Sequence, residues 1–360
     1  MTGGLPLTSA PSRAYWELTR ACDLACRHCR AEAIPDSDPR ELTTEEGRRL
    51  LRQLAEFGAP PPHVVLTGGD PLKRPDLWDL WECGVGLGLP LSLAPSGTPA
   101  LSREAIERAK SLGVEAISLS VDGPDAERHD GFRRVPGCFD RTVEAARAVL
   151  DEGIPLQINS LVTAETLEGL PDLFSLVRGL GVSRWSLFFL ISVGRGRGLQ
   201  NVTPDRCERL LHWLYDRSRE VPFVITTTEA PHYRRVAWER MRGEGRSPGE
   251  IRLSPLGRSF GMRDGNGIMF ISHVGDVQPS GFLPLVAGNV RAQSPVEIYR
   301  EAPIFVSLRR SAEFGGRCGR CEFRGMCGGS RARAFAATGD PMAEDPLCPY
   351  DPPDSARSLS

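Results

Sequence analysis

The chain has 360 residues, 40% of them hydrophobic, with 44 basic against 46 acidic side chains and a formal charge of −2. That length supports a full core in one large and one small domain, and the balanced charge argues against a nucleic-acid partner, which needs a net basic face. No run approaches eighteen consecutive apolar residues and no charged N-terminal region precedes an apolar one, so no membrane partner and a cytoplasmic location are expected.

From about residue 13 to 192, short apolar β-branched runs alternate with helical patterns. The predicted strands are Ala14–Leu18, His63–Thr67, Leu91–Pro95, Glu115–Val121, Leu156–Val162 and Trp185–Ile191. Thr43 followed by Glu46 predicts a capping box, opening a helix with Leu50, Leu51 and Leu54 on one face and Gly58 after it. Ser102 caps another helix, and Gly153 and Gly181 close two more. Six βα repeats imply a parallel sheet covered by helices. A complete barrel needs eight strands and about 250 residues, so an α/β fold with an open, partial barrel is expected over residues 13–202.

Residues 203–260 read as a bridging segment: a helix capped by Thr203 with Pro204 in its first turn, a strand, and a mobile Gly/Arg-rich loop over 241–258. A smaller domain is expected over 261–350, starting with a hairpin around Val274 and Gly275 and a helix opened at Ser294. Residues 1–12 and 351–360 read as tails. The basic run Gly194-Arg195-Gly196-Arg197-Gly198 reads as a solvated loop.

Directly after the first strand, Cys22, Cys26 and Cys29 stand in the run Cys-Asp-Leu-Ala-Cys-Arg-His-Cys. Ten cysteines in a cytosolic setting point to metal or redox chemistry rather than disulfides. An Fe–S cluster normally takes four cysteines. Three closely spaced ones suit a 4Fe–4S cluster that leaves one iron open. Structural zinc fits less well, because it is closed by four protein ligands. Core packing also fits less well beside Arg20, Arg27 and Arg30.

This CxxxCxxC pattern resembles the radical S-adenosylmethionine superfamily. The resemblance implies a (β/α)6 core whose open iron chelates S-adenosylmethionine. It further implies one-electron cleavage of the sulfonium, a 5′-deoxyadenosyl radical and hydrogen abstraction from substrate, while the protein positions and shields these species. An electron donor such as a flavodoxin or ferredoxin is the implied partner.

After the second strand, Thr67-Gly68-Gly69-Asp70 resembles the superfamily's GGE motif, which holds the methionine amino group. Two glycines admit close backbone approach, although an ordinary βα turn reads the same way. Asp70 in place of Glu shortens the carboxylate's reach. Ser120-Val121-Asp122-Gly123-Pro124 and His129-Asp130-Gly131-Phe132-Arg133 resemble the peptide- and cofactor-modifying branch. By that resemblance Ser120 binds a ribose hydroxyl and Arg133 the methionine carboxylate, which a guanidinium can grip in two places. A surface ion pair is the alternative for Arg133. His28 takes the aromatic place beside the adenine, and Ser96, Asn159 and the backbone at Leu190 complete the implied cofactor set.

Cys318, Cys321, Cys327 and Cys348 form a second concentration of thiols, able to bind zinc or an Fe–S cluster. Iron is favoured by a resemblance to the C-terminal SPASM/twitch region of radical S-adenosylmethionine enzymes. A full SPASM region carries seven cysteines and two auxiliary clusters. Here Ser280 and Arg331 stand where two cysteines of one cluster are usual, which implies a single auxiliary 4Fe–4S cluster that relays electrons or organises structure. Cys83, Cys138 and Cys207 read as small apolar filler.

The stretch from Gly328 to Asp340, then Glu344-Asp345-Pro346-Leu347-Cys348, resembles enzymes of alternative heme and nitrite-reductase heme biosynthesis. Those enzymes remove or oxidise propionate or acetate side chains of tetrapyrroles. Residues 227–235 are similar to a segment near their substrate cavity. That makes His232 a candidate for holding propionates or iron and Tyr233 a candidate proton or hydrogen partner. A strand leading into an amphipathic helix explains the same residues. The competing substrate is a ribosomally made peptide. The first strand begins within some fifteen residues, so the peptide-binding domain of many such maturases is expected to be absent. A non-catalytic Fe–S protein would need no Gly69, Ser120 and Arg133 in this order.

Overall fold

Burial along the first strand sets the layout. Ala14 and Trp16 are fully buried, and the tip of Trp16 lies against Gly47 of the helix Thr44–Ala55. Alternation along a strand then turns Arg13, Tyr15 and Glu17 to the opposite, inner face. The structure, a computed structural model, describes residues 6–353. Within them, β1 (Arg13–Glu17), β2 (His63–Thr67), β3 (Leu91–Leu93), β4 (Ile117–Ser120), β5 (Leu156–Val162), β6 (Arg184–Phe189) and β7 (Val224–Thr228) form successive parallel pairs. The expected tail residues 1–5 and 354–360 lie outside the described residues.

The connecting helices start where the capping residues predict. Thr43 and Glu46 form the reciprocal capping box, and Ser102 and Thr203 accept from the helical N–H three residues on.

The repeat does not stop near residue 192. The helix Pro204–Ser218 and β7 make one more helix–strand unit, with β7 in register with β6 from Arg184↔Val224 to Phe188↔Thr228. The segment expected to bridge two domains therefore extends the sheet. The helix and strand are those the sequence predicts; Thr226, Thr227 and Thr228 supply β propensity without an apolar run, so nothing local shows that the strand joins the barrel sheet. The expected mobile loop is also mostly helical. Tyr233–Gly243 is followed by Pro248–Leu253, which opens with a second capping box between Ser247 and Glu250.

The C-terminal region joins the other edge of the same sheet. β8 (Arg263–Asp264) pairs with β9 (Gly267–Ile271), and β9 runs parallel to β1. β9 then turns into an antiparallel hairpin with β10 (Asp276–Gln278), which is edged by β11 (Gly288–Asn289). His273 in the hairpin turn bonds Glu17 of β1 at 2.7 Å. Burial opposes ionisation of Glu17, but the Arg30 charge and hydrogen bonds from His273 and Arg30 outweigh it and hold the carboxyl at about 2. Among the described residues no helix is long and apolar enough to cross a membrane.

Candidate active site and second thiol cluster

The loop carrying Cys22, Cys26 and Cys29 leaves β1 at the carboxyl end of the sheet, where α/β folds place their ligands. It is held from three sides. Ala25 and Arg27 donate their N–H groups to the carbonyls of Arg133 and Phe132, using the free end of the helix Ala126–Arg133. Gly69 and Asp70 donate to Thr19 and Ala21 at 2.8 and 2.7 Å. Arg195 donates to the carbonyls of Cys26 and Ala33 at 2.9 and 3.2 Å. The basic Gly194–Gly198 run is thus no solvated loop. It packs across the cysteines, where a Cβ on Gly194 would come 2.5 Å from the Cys29 carbonyl oxygen.

The sulfurs are prepared for negative charge. Leu24 N–H donates to Cys22 Sγ and Ala33 N–H to Cys29 Sγ, both at 3.4 Å, and Arg133 reaches Cys26 Sγ at 3.5 Å. Burial first, and then the nearby Asp70 and Cys26, push the Cys22 thiol up against the hydrogen bonds from Ser96 and Leu24, so a bound cation is what would favour the thiolate there. Three sulfurs, each with an N–H donor, fit the donor set of an open 4Fe–4S cluster. Cys138, read as filler, packs against Cys22 and Cys26.

Arg133 is nine-tenths buried and pairs with Asp122 at 2.6 Å. It is not a surface ion pair. Burial works against both charges. Arg133, His28 and His129 together hold the Asp122 carboxyl below its usual range, while Asp122 and Cys26 raise the Arg133 guanidinium above its own. Asp122 also accepts from Leu161 N–H at 2.9 Å. Asp122 was in view in the sequence, but only its Arg133 partner, eleven positions on, gives it a role.

His28 stands 3.8 Å from Asp122 and against the Phe132 ring at 5.5 Å. Burial lowers its pKa to about 4, and its Nδ1 has no partner among the described residues. Ser120 and Asn159 are register partners on β4 and β5, facing the sheet's inner side. Asn159 accepts from Gln157 at 2.7 Å.

The glycine pair serves close approach. A Cβ on Gly68 would meet Thr19 O at 2.4 Å, and one on Gly69 would meet Ala21 O at 2.4 Å. Ser96 donates to the Gly69 carbonyl at 2.8 Å and lies 3.4 Å from Cys22 Sγ.

Asp70, a candidate cofactor contact of shortened reach, stays out of the site. Its carboxylate is fully buried, accepts from Thr98 at 2.6 Å and from Leu72 N–H at 3.2 Å, and caps the turn Pro71–Lys73. One methylene short of Glu, it folds back on its own backbone and does not reach into the site. The expected free backbone at Leu190 is also engaged: its N–H donates to Val162 at 3.1 Å and its carbonyl accepts from Arg333 at 2.6 Å.

The second thiol set surrounds one cavity. Cys318, Cys321, Cys327 and Cys348 line it with His232 and Arg235. Each sulfur has a backbone N–H donor. Asp345 donates to Cys318 at 3.4 Å and Gly329 to Cys327 at 3.5 Å, while Phe323 and Tyr350 serve Cys321 and Cys348. Burial pushes the Cys321, Cys327 and Cys348 thiols up to about 12, so the unligated cavity favours neutral thiols. Four thiols around one cavity, each with an N–H donor, fit the donor set of a fully ligated 4Fe–4S cluster.

Arg331, standing where a cysteine is usual, is fully buried. It donates to Cys318 Sγ at 3.5 Å and to the Pro341 and Ala343 carbonyls at 3.0 and 2.6 Å.

The catalytic candidates separate. His232 is buried with Nε2 3.3 Å from Cys207 Sγ and Nδ1 unpartnered; burial lowers its pKa to about 4. It borders the second thiol cavity and not the Cys22 loop. Tyr233 is 2% exposed, with Ser218 and Tyr215 as its polar neighbours. Its hydroxyl therefore lies in the core under the helix Tyr233–Gly243, and the expected proton or hydrogen partner is not there.

Residues 16–177 match the family model of the Radical SAM superfamily. An AdoMet-dependent heme synthase of Oleidesulfovibrio alaskensis is 41% identical over 341 residues, 94% of this chain and 87% of that protein. A pre-heme d1 synthase of Dinoroseobacter shibae is 30% identical over 92% of this chain and 85% of its own length. A PqqA peptide cyclase of Gluconobacter oxydans reaches 29% over 97% and 93%. Among solved structures, Streptococcus suis SuiB bound to S-adenosylmethionine superposes with a TM-score of 0.72, covering 95% of this chain and 78% of SuiB at 18% identity. Spacing, loop geometry and this likeness across both thiol sites converge: the chain belongs to the radical SAM superfamily, as an enzyme with S-adenosylmethionine and 4Fe–4S clusters for cofactors.

Proposed function

We propose that this enzyme modifies tetrapyrroles, decarboxylating or removing carboxylate side chains of a heme precursor. The observation that carries this reading is the 41% identity to an AdoMet-dependent heme synthase along 94% of the chain, a span that includes the C-terminal thiol site. The peptide cyclase is more distant at 29%.

Cys22, Cys26 and Cys29 would hold the open cluster, and Cys318, Cys321, Cys327 and Cys348 the auxiliary one. When bound, the open cluster and S-adenosylmethionine supply one-electron hydrogen abstraction. The chain's own part is orientation and exclusion of water. Arg133, locked by Asp122, offers its remaining donors to the cofactor carboxylate. Ser120 offers a hydroxyl to the ribose, and the Gly69 carbonyl keeps a second lone pair for the amino group. His28 stays neutral beside the adenine. His232 belongs to the auxiliary site, where its unpartnered nitrogen suits a cluster sulfur. Asp70 and Tyr233 have no direct part. A cytoplasmic flavodoxin or ferredoxin would deliver the electron.

Anaerobic incubation of the reconstituted enzyme with S-adenosylmethionine, reductant and iron coproporphyrin, read by mass spectrometry, tests this. Substrate-dependent loss of carbon dioxide or of a side chain is expected. Unchanged tetrapyrrole alongside clear 5′-deoxyadenosine formation would refute it and bring forward a peptide substrate.

A further inference from the structure

Three arginines gather around the second thiol site from distant parts of the chain. Arg234 comes from the helix Tyr233–Gly243, Arg263 from β8 and Arg331 from the helix Arg331–Thr338. Arg331 reaches Cys318 Sγ at 3.5 Å, and Arg234 donates at 3.3 Å to the carbonyl of Met326, the residue before Cys327. Arg263 runs along Gly328, the residue after Cys327, where a Cβ would come 3.0 Å from its Cδ. Arg263 and Arg331 share one aromatic ring, that of buried Phe314, at 5.3 and 4.4 Å from its centre.

What these arginines lack is a counter-charge. Among the described residues their remaining hydrogen bonds end on main-chain carbonyls: Leu308, Gly261 and Arg309 for Arg263, and Gly329, Pro341 and Ala343 for Arg331. The nearby acids are engaged elsewhere. Asp264 accepts from the Arg331 and Ala332 N–H groups, Asp345 pairs with Arg333, and Glu344 pairs with Arg317. Arg331 is fully buried and Arg263 is 6% exposed. Burial first, and then Arg331 and Arg234, lower Arg263 to about 10, and burial lowers Arg234 to about 10. Cys327 counteracts in both cases, joined at Arg263 by the smaller influence of Asp264. Buried like charges without partners are costly. Arg133 and Arg235, the other buried guanidiniums beside thiols, each have a carboxylate.

A 4Fe–4S cluster on four thiolates is a polyanion, with about two negative charges when oxidised and about three when reduced. Cations at its edge attract the reduced form more strongly, and a sheltered site enlarges the difference. We propose that Arg234, Arg263 and Arg331 are the built-in counter-charge of the auxiliary cluster and raise its reduction potential, so that it accepts an electron rather than only holding the fold. The need for an acceptor rests on the tetrapyrrole reading. Taking one hydrogen atom from a propionate and releasing its carboxylate as carbon dioxide leaves an alkene and one electron. Uptake of that electron by the cluster balances the step.

The test is spectroelectrochemistry of the substrate-free holoenzyme, with iron counted per chain. Wild type is compared with Arg263→Lys, Arg263→Gln and the double variant Arg234→Gln/Arg263→Gln. In wild type the auxiliary cluster should be reduced at a more positive potential than the Cys22 cluster. Each Gln replacement should weaken its electron uptake about tenfold, which is about 59 mV for one electron. The Cys22 cluster should keep its potential, and Arg263→Lys should stay near wild type. Loss of auxiliary iron from the Gln variants but not from Arg263→Lys would support the counter-charge equally. Unshifted potentials at full iron, or equal effects of Lys and Gln, overturn the proposal. An auxiliary potential below that of the Cys22 cluster in wild type overturns the acceptor role. Iron coproporphyrin left unchanged by an enzyme whose potentials shift as stated would refute the tetrapyrrole reading alone.

Discussion

Replacing Gly69 with Ala should remove one cluster and spare the other. The new Cβ would lie 2.4 Å from Ala21 O and 2.5 Å from Arg20 O, against 3.4 Å for ordinary contact, so the backbone at 20–21 must retreat by about 1.0 Å. Both obstacles are main chain, and no flexible side chain can yield. The same shift disturbs the Gly69–Thr19 and Asp70–Ala21 hydrogen bonds, each worth about 1 kcal/mol. Overpacking adds about 1–3 kcal/mol, giving a local cost of about 3–5 kcal/mol. Cys22 follows Ala21 directly, and metal–ligand distances tolerate only about 0.2 Å. Iron should fall from about eight to about four per chain, with the remaining signal that of a fully ligated cluster. The assay is iron and sulfide content with low-temperature electron paramagnetic resonance. Gly179→Ala, on a helix with nothing within 4 Å of its Cβ, serves as control. A Gly69→Ala protein with eight irons and wild-type cofactor affinity would refute the reasoning.

Arg133→Gln leaves Asp122 buried without its cation, so unfolding free energy should drop by about 3–5 kcal/mol and cofactor affinity with it, measured by urea titration and equilibrium binding. Cys327→Ala should cost about four irons per chain while the Cys22 cluster stays reducible. Arg331→Met removes a positive charge and an N–H donor from Cys318, so the auxiliary potential should move tens of millivolts more negative by spectroelectrochemistry, on the order of 59 mV per tenfold change in equilibrium. His63 and His129 have native pKa values of about 4 against 6.5, lowered first by burial. Because the folded value lies below the unfolded one, their stabilisation is complete above pH 6.5 and is lost as pH falls towards 4. At pH 5.5 each loses on the order of 1 kcal/mol. The urea midpoint should therefore fall between pH 7 and 5.5, and the fall should shrink in the His63→Gln/His129→Gln double variant.

The features visible in the sequence were those whose physics is local. Capping boxes, glycine stops and the cysteine spacing report on neighbours within a few residues, and Thr43, Ser102 and Thr203 behave as predicted. Features that depend on a distant partner stayed hidden. The strand after the Thr203 helix was legible, but its place in the barrel sheet beside β6 was not. Composition makes the Gly194–Gly198 run read as solvated, because it cannot show that the Cys26 and Ala33 carbonyls await Arg195. Asp70 was recognised as a departure from its motif, but where the shorter carboxylate would go depended on Thr98, twenty-eight residues away. Tyr233 and His232 are adjacent in sequence, and one step along a helix start sends them to the core and to the thiol cavity.

The C-terminal region is bound to both ends of the barrel's parallel run, and this bears on how the interior is shielded. At one end β9 extends the ladder beyond β1, and Arg30 stacks on Phe270 at 4.5 Å. At the other, Arg333 donates to the carbonyls of Leu190, after β6, and Glu229, after β7, while Ser330 bonds the Glu229 carboxylate. Phe282 of the same region meets Phe188 on the inner face of β6 at 6.3 Å. An open seven-stranded barrel leaves its first and last strands unpaired on one side, where water would enter. Here the region that carries the second thiol site covers that side. Because Arg333 also pairs with Asp345, whose N–H serves Cys318, one buried cation joins the second thiol site to the carboxyl ends of β6 and β7. Displacing the C-terminal region would therefore disturb the auxiliary site and unseal the reaction chamber together.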